Sequence, residues 1–344
     1  MPFSVVSLAV GYIGRYGTTA LSISIFVGAA LPSLSSYLRP YLTLAVLCLL
    51  TLAFLRVDEA EIKSRLKQPG LLISSLAWMM IGLPFLTFLI FQFYSLERWD
   101  QDVVLAIYIA TAAPPVMAAP AFLYMLGLNG ALSLAISVAA LLIAPITTTV
   151  MGLMMLGPSL PLSATGLAAK LSLLLIGALF IAMCIRKLAG TNRLERSSDV
   201  ISGLNVLLLL VFAIAAMDGV AESLFDNPAL TLSVTGLTFL VAASQILVTF
   251  LLFLSIGKED AYAIAHTCGT RNMGLMVAAF GGALPEFTWL WFALGQFPIY
   301  LLPMIVRPIV QKYIISSRLS EQTETQGTVE ASRNLSPASG QSER

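Results

Sequence analysis

Ten stretches of this chain run for about twenty residues or more with almost no charge, and that pattern leaves few folds open. They lie at about 16–36, 39–56, 70–94, 103–127, 129–156, 163–186, 198–217, 229–256, 260–283 and 287–314. Roughly 20 apolar residues in a helix cross the ~30 Å hydrocarbon layer of a bilayer. A backbone in lipid must satisfy its own hydrogen bonds, which restricts spanning structures to helices and closed barrels. The runs are continuously apolar rather than alternating, so helices are expected. Only 11% of residues are charged and 58% are hydrophobic, with mean hydropathy +0.89, against roughly 25% charged in soluble domains. The expected fold is an all-α polytopic membrane protein with the lipid bilayer as its surroundings.

Other classes fall away on the same grounds. A net charge of +1 provides no basic stripe to neutralise phosphates, so no nucleic-acid partner is expected. Cys48, Cys184 and Cys268 lie apart in apolar stretches without paired spacing, which suits small packing residues better than a disulfide framework or metal site. No signal-peptide pattern precedes Arg15, so targeting is expected to fall to the first span. A ten-span transporter domain over 1–315 and a disordered cytoplasmic tail over 316–344 follow, the tail being polar and poor in aromatics. The mixed-charge linker at 58–70 reads as an interfacial amphipathic helix.

Loop charges orient the spans. Arg15, Arg56, Lys63, Arg65, Lys67, Arg186, Lys187, Arg193, Arg196, Lys258, Lys312 and Arg318 fall on one side. Arg39 and Arg98 fall on the other, together with Asp218, Glu222, Asp226 and Glu286. By the positive-inside rule, an even number of spans in the cell membrane with both termini cytoplasmic is expected. The fourth span and the ninth, which is the fourth of its own half, both carry helix breakers. Five spans per half is odd, so the halves enter from opposite sides as inverted repeats, an arrangement that points to a transporter's binding site.

Pro114, Pro115 and Pro120 interrupt the fourth span, while Gly269 and Gly274 bracket Thr270, Arg271, Asn272 and Met273 in the ninth. Proline removes a backbone donor and pushes against the preceding turn, and non-helical backbone at membrane depth must be buried in protein or line a cavity. The two breaks are expected to cross at mid-membrane. Arg271 is the only charge placed near the bilayer centre, where insertion costs about 2.5–3.5 kcal/mol and ionisable groups mark function. Two readings stand. The guanidinium meets an anionic substrate group, most simply a carboxylate, or it is satisfied by backbone carbonyls of the broken helices. His266, the only histidine, reads either as a proton-coupling group or as a packing residue. Cys268 alone is weak evidence for a soft-metal ligand. Lys170 either snorkels outward or lines a cavity.

At these breaks the chain resembles the bile acid:sodium symporter family over 10–315. Gly269, Arg271-Asn272 and Gly274-Leu275 match its Gly-x-Gln-Asn-x-Gly-Leu pattern, 129–150 resembles the segment after its first crossover, and Pro84 after Met79 sits like its Met-Pro. The resemblance implies a panel domain moving against a core of crossing helices, with two sodium ions driving organic-anion uptake. It implies a substrate site around His266, Thr267, Gly269, Thr270, Arg271, Asn272, Pro114, Pro115, Ala119 and Pro120. The family's sodium ligands are mostly replaced: its Ser-Asn pair by Ala119-Pro120, its glutamate by Thr267, its glutamines by Arg271 and Met79. Ser133, Ser137 and Asn272 keep oxygen-bearing side chains and would form a residual ion site. Removing a carboxylate and adding an arginine repels a cation, so Arg271 is expected to stand in for sodium. The expected activity is secondary transport of a small organic anion, carboxylate or bile-acid-like, by alternating access without ordinary sodium coupling and with no cofactor or metal. The alternatives are an ordinary sodium symporter and an efflux carrier of the arsenite or auxin type, although the fourth span lacks the expected cysteine. A channel would want charged rings along several spans. The chain is not expected to be an enzyme, because no HExxH, GxSxG or intramembrane carboxylate pair is present.

Overall fold

A computed structural model describes residues 17–57, 65, 67, 69–94 and 99–315. The tail over 316–344 lies outside the described residues, as does most of the linker over 58–70. Among the described residues the chain is helical from end to end, without a strand. Seven helices are long and apolar enough to cross a membrane: Pro32–Leu55, Pro69–Phe93, Ala131–Ser159, Ala164–Ala189, Ser198–Asp226, Pro228–Ile256 and Glu286–Ile314. Large apolar side chains point outward along them; Ile146, Leu173, Phe180 and Leu240 are each more than 60% exposed. A water-soluble fold would cover such faces, and a helical multi-pass membrane protein turns them to lipid.

The three expected spans outside that set are those whose helices are cut. Pro32 ends the first early: helix Gly17–Ala30 has 14 residues, and Pro32 opens a new helix, Pro32–Leu38. Pro114 and Pro115 cut the fourth into Gln101–Ala112 and Ala119–Leu126. The ninth is cut at Thr270–Asn272 into Lys258–Gly269 and Met273–Phe280. Polar caps mark several starts: Asp100 accepts from the Asp102 N–H, Ser163 from Gly166 and Asn227 from Leu230.

Two sets of helices pack internally. Gly17–Ala30, Leu42–Leu55, Ala164–Ala189 and Ser198–Ala216 form one. The broken helices, Ala131–Leu156 and Pro228–Phe253 form the other. They meet where Ala131–Leu156 packs on Ala164–Ala189 and where Met273–Phe280 packs on Leu42–Leu55 and Ala164–Ala189. Gly274 leaves room for the Phe212 ring of Ser198–Ala216: a Cβ there would lie 2.7 Å from Phe212 Cζ.

The third span carries a feature that proline dictates. Residues Trp78–Gly82 form a π turn, in which the Leu83 N–H donates to Trp78 rather than to Met79. The next residue, Pro84, has no N–H. The Met79 carbonyl is therefore left without a donor from its own helix in either register. Trp78 also sits inside this span, donating to Thr249 Oγ1 at 2.9 Å, and Trp291 is buried.

Candidate functional site

The two breaks meet as a short antiparallel crossing. Pro115 pairs with Arg271; the Val116 N–H donates to the Thr270 carbonyl at 2.9 Å, and the Asn272 N–H to the Pro114 carbonyl at 2.7 Å. Each break thus supplies partners that the other lost.

Three carbonyls at the end of Gln101–Ala112 and just after it find donors elsewhere in the fold. Pro114 deprives Ala110 of its helical donor, and Gln245 Nε2 replaces it at 3.1 Å. The Val116 N–H, turned to Thr270, leaves Ala112 to accept from Thr148 Oγ1 at 3.0 Å. The Ala113 carbonyl accepts from Arg271 Nη1 at 2.9 Å.

Arg271 is 2% exposed, and its guanidinium is held from several sides. Besides Ala113, it donates from Nε to Gln245 Oε1 at 3.0 Å, and from Nη2 to the Met79 carbonyl at 3.1 Å and Cys268 Sγ at 3.2 Å. Among the described residues no carboxylate pairs with it. The charge is met by one carbonyl at the break of the fourth span, one carbonyl of the third span and two side chains, so the reading in which broken-helix carbonyls satisfy it describes only part of the arrangement. The Met79 carbonyl is open to the guanidinium because the Leu83 N–H goes to Trp78 and Pro84 has no N–H.

The other expected residues divide by role. Thr270 Oγ1 donates to the His266 carbonyl at 2.8 Å. Gly269 packs so tightly that a Cβ would overlap the Ile246 side chain. Asn272 accepts the Leu275 N–H at 3.1 Å, capping Met273–Phe280. Thr267 Oγ1 donates to Ala263 and lies 2.7 Å from Ser133 Oγ. Ser137 is fully buried and its hydroxyl has no partner. No hydrogen bond joins Ser133, Ser137 and Asn272 among the described residues. Ala119 is buried at the start of its half-helix, and Pro120 faces a cavity. His266 is 1% exposed and neither ring nitrogen has a partner among the described residues. Lys170 is exposed and is not among the residues lining the cavity.

That cavity, about 650 Å³, lies between the crossing and helices Leu42–Leu55 and Ser198–Ala216. Its walls are mostly apolar, from Val46, Leu50, Phe122, Leu209, Phe212 and Ile299. Polar groups come from Arg56, Ser202, Asn205, Asn272, Gln296 and Tyr300, and no Asp or Glu lines it. Arg271 also contributes to its wall, although the guanidinium's bonds run to Met79, Ala113, Gln245 and Cys268. Arg56 follows the 14-residue helix Leu42–Leu55, about 20 Å long at ~1.5 Å per residue. Beyond the opposite end of that helix, Arg39 bonds Asp218 at 2.8 Å and lies 3.9 Å over the Trp289 ring. Trp289 in turn donates to the Asp218 carbonyl at 2.9 Å.

Sequence reasoning passed over Gln245, the π turn, and the polar cavity residues Arg56, Asn205 and Gln296. One signal was available for Gln245: it is the sole carboxamide in Pro228–Phe253, a helix that holds no ionisable residue. No family model matches the chain, and no curated protein matches it.

Proposed function

We propose that the chain is a secondary transporter of a small organic anion, working by alternating access. In this reading ten helices form two inverted five-helix repeats whose broken fourth and ninth members cross at mid-membrane. It is the plan of the bile acid:sodium symporter family, which the ninth span resembles. Helices Gly17–Ala30, Leu42–Leu55, Ala164–Ala189 and Ser198–Ala216 would make the moving panel, and the basic loops would keep both termini on the cytoplasmic side of the cell membrane.

The observation that carries this reading is the cavity. Its volume of about 650 Å³ falls within the ~300–1,000 Å³ of small-molecule sites. It lies against the crossing, it is mostly apolar, and its lining includes Arg56 but no carboxylate. An amphipathic anion suits such walls. With the guanidinium of Arg271 committed to Met79, Ala113, Gln245 and Cys268, the anionic group falls to Arg56, Asn205 and Gln296. The Arg39–Asp218–Trp289 cluster supports closure at the far end, so that the cavity opens at the Arg56 end.

Ordinary sodium coupling has no place in this scheme. A cation about 4 Å from the buried guanidinium would be repelled by about 4 kcal/mol at an effective dielectric constant near 20. Thermal unfolding of the purified protein with benzoate, pyruvate and taurocholate, each with and without sodium, tests the proposal. A binding anion raises apparent stability by mass action, about 2.7 kcal/mol at a hundred times its Kd. The expected result is stabilisation by at least one anion, weakened in Arg56→Gln and indifferent to sodium. Stabilisation by sodium alone would restore the ordinary symporter mechanism, and indifference to every anion would remove the transport reading.

A further inference from the structure

Five residues before Arg271, the same broken helix carries a polar side chain with nothing to bond. Both ring nitrogens of His266 are buried without a partner, and so is the hydroxyl of Tyr262, one turn earlier. Buried polar atoms are nearly always hydrogen-bonded, and orphans call for water, an ion or a function. Tyr262 stacks on the imidazole with centroids 6.0 Å apart and planes 20° apart. Phe122 meets the imidazole edge-on, also at 6.0 Å. Phe122 lines the cavity, so one aromatic ring stands between the imidazole and the space assigned to the anion.

The electrical surroundings are sparse. Helix Lys258–Gly269 packs against Pro228–Phe253, Ala131–Leu156, Ala119–Leu126 and the turns Leu254–Ile256 and Gln311–Ile315. Pro228–Phe253, Ala131–Leu156 and Leu254–Ile256 contain no ionisable residue. Ala119–Leu126 contributes Tyr124, and Gln311–Ile315 contributes Lys312 and Tyr313. The histidine's own helix contributes Lys258, Glu259, Asp260, Tyr262 and Cys268. Glu259, Tyr262 and His266 are spaced three and four apart, which places them on one face. That stripe leads from a carboxylate in the first turn, through the unpartnered phenol, to the imidazole.

We propose that His266 is a proton-binding site coupled to the anion in the cavity, so that the protein carries a proton together with each monoanion. The proposal rests on the anion reading of the cavity. A proton on His266 makes a cation with no counter-charge beside it until an anion arrives across the Phe122 ring. Anion binding then strengthens proton binding, and by linkage the proton strengthens anion binding equally. Proton plus monoanion is electroneutral, so such transport does not work against the membrane potential. Arg271 stays charged throughout and takes no part in the cycle.

His266 is the only histidine, which makes the test direct. Protein labelled with ¹⁵N-histidine, purified through a histidine-free tag and placed in nanodiscs, gives ring-nitrogen shifts that belong to this residue alone. They are followed against pH with and without taurocholate, whose sulfonate does not titrate in the range used. The expected result is a titration midpoint about one pH unit higher with the anion, matched by about tenfold tighter taurocholate binding at the acidic end. In His266→Gln the pH dependence of anion binding flattens, whereas a packing role alone would lower stability and leave that slope in place. Taurocholate binding with no movement of the midpoint overturns the coupling while sparing the cavity reading. If taurocholate, benzoate and pyruvate all fail to bind, both fall together.

Discussion

Arg271 and His266 sit five residues apart on one interrupted helix, equally buried, and their surroundings treat them in opposite ways. The arginine donates to four acceptors drawn from four parts of the chain, while the histidine's two nitrogens have none. The arginine is the more expensive group to bury, yet it is the one whose surroundings are fully arranged. A fixed charge at that depth is tolerable only when its donors are matched in advance. The histidine can remain neutral, so it does not require such an arrangement. One residue ties four parts of the chain together, and the other makes no hydrogen bond among the described residues.

The largest expected effect comes from breaking the satisfied member. Arg271→Met leaves the Met79 and Ala113 carbonyls and Gln245 Oε1 unpaired, at about 1–3 kcal/mol for each buried group. A loss of roughly 3–5 kcal/mol is expected in chemical or thermal unfolding. A loss below about 1 kcal/mol would mean the guanidinium does not organise the breaks.

Gln245→Leu takes one acceptor from Arg271 and the donor from the Ala110 carbonyl, and a loss of about 2–3 kcal/mol should appear in the same assay. Pro84→Ala restores an N–H beside the Met79 carbonyl and sets it in competition with Arg271. About 1 kcal/mol of destabilisation is expected, with less than additive loss when combined with Arg271→Met. An additive double variant would separate the π turn from the arginine.

The smallest effect has the opposite sign. His266→Phe replaces unpartnered nitrogens with carbon in an aromatic stack, so it should leave stability unchanged or raise it by up to about 1 kcal/mol. Clear destabilisation on unfolding would show that the ring nitrogens are bonded after all, through water.

The sequence carried the interruptions well and their repair poorly. Pro114-Pro115 and the Thr270–Asn272 stretch announced themselves as breaks because proline and glycine act locally. Pro32 is equally local, but lay inside an apolar run that hydropathy read as one span. Arg271 stood out as a lone charge, although its partners did not. Ala113 and Met79 contribute backbone carbonyls, which every residue possesses, so no side-chain pattern marks them. Pro84 and Gln245 were the visible traces of that arrangement, 187 and 26 positions from Arg271. Only the folded packing brings them to it. The cavity residues Arg56, Asn205 and Gln296 were invisible for the same reason, since each sits in or beside a different helix.

The π turn at Trp78–Gly82 is, in effect, one surplus residue wound into the third helix. Everything after it is turned by about 100° relative to an uninterrupted helix of the same composition. Removing one residue from 80–82 would turn this into an ordinary α turn with Phe85, Phe88 and Phe91 on their present faces, and would make Pro84 the fourth residue after Met79, so that the Met79 carbonyl would still lack a helical donor. Pro84, more than the number of residues wound into the turn, therefore keeps open the oxygen that Arg271 uses.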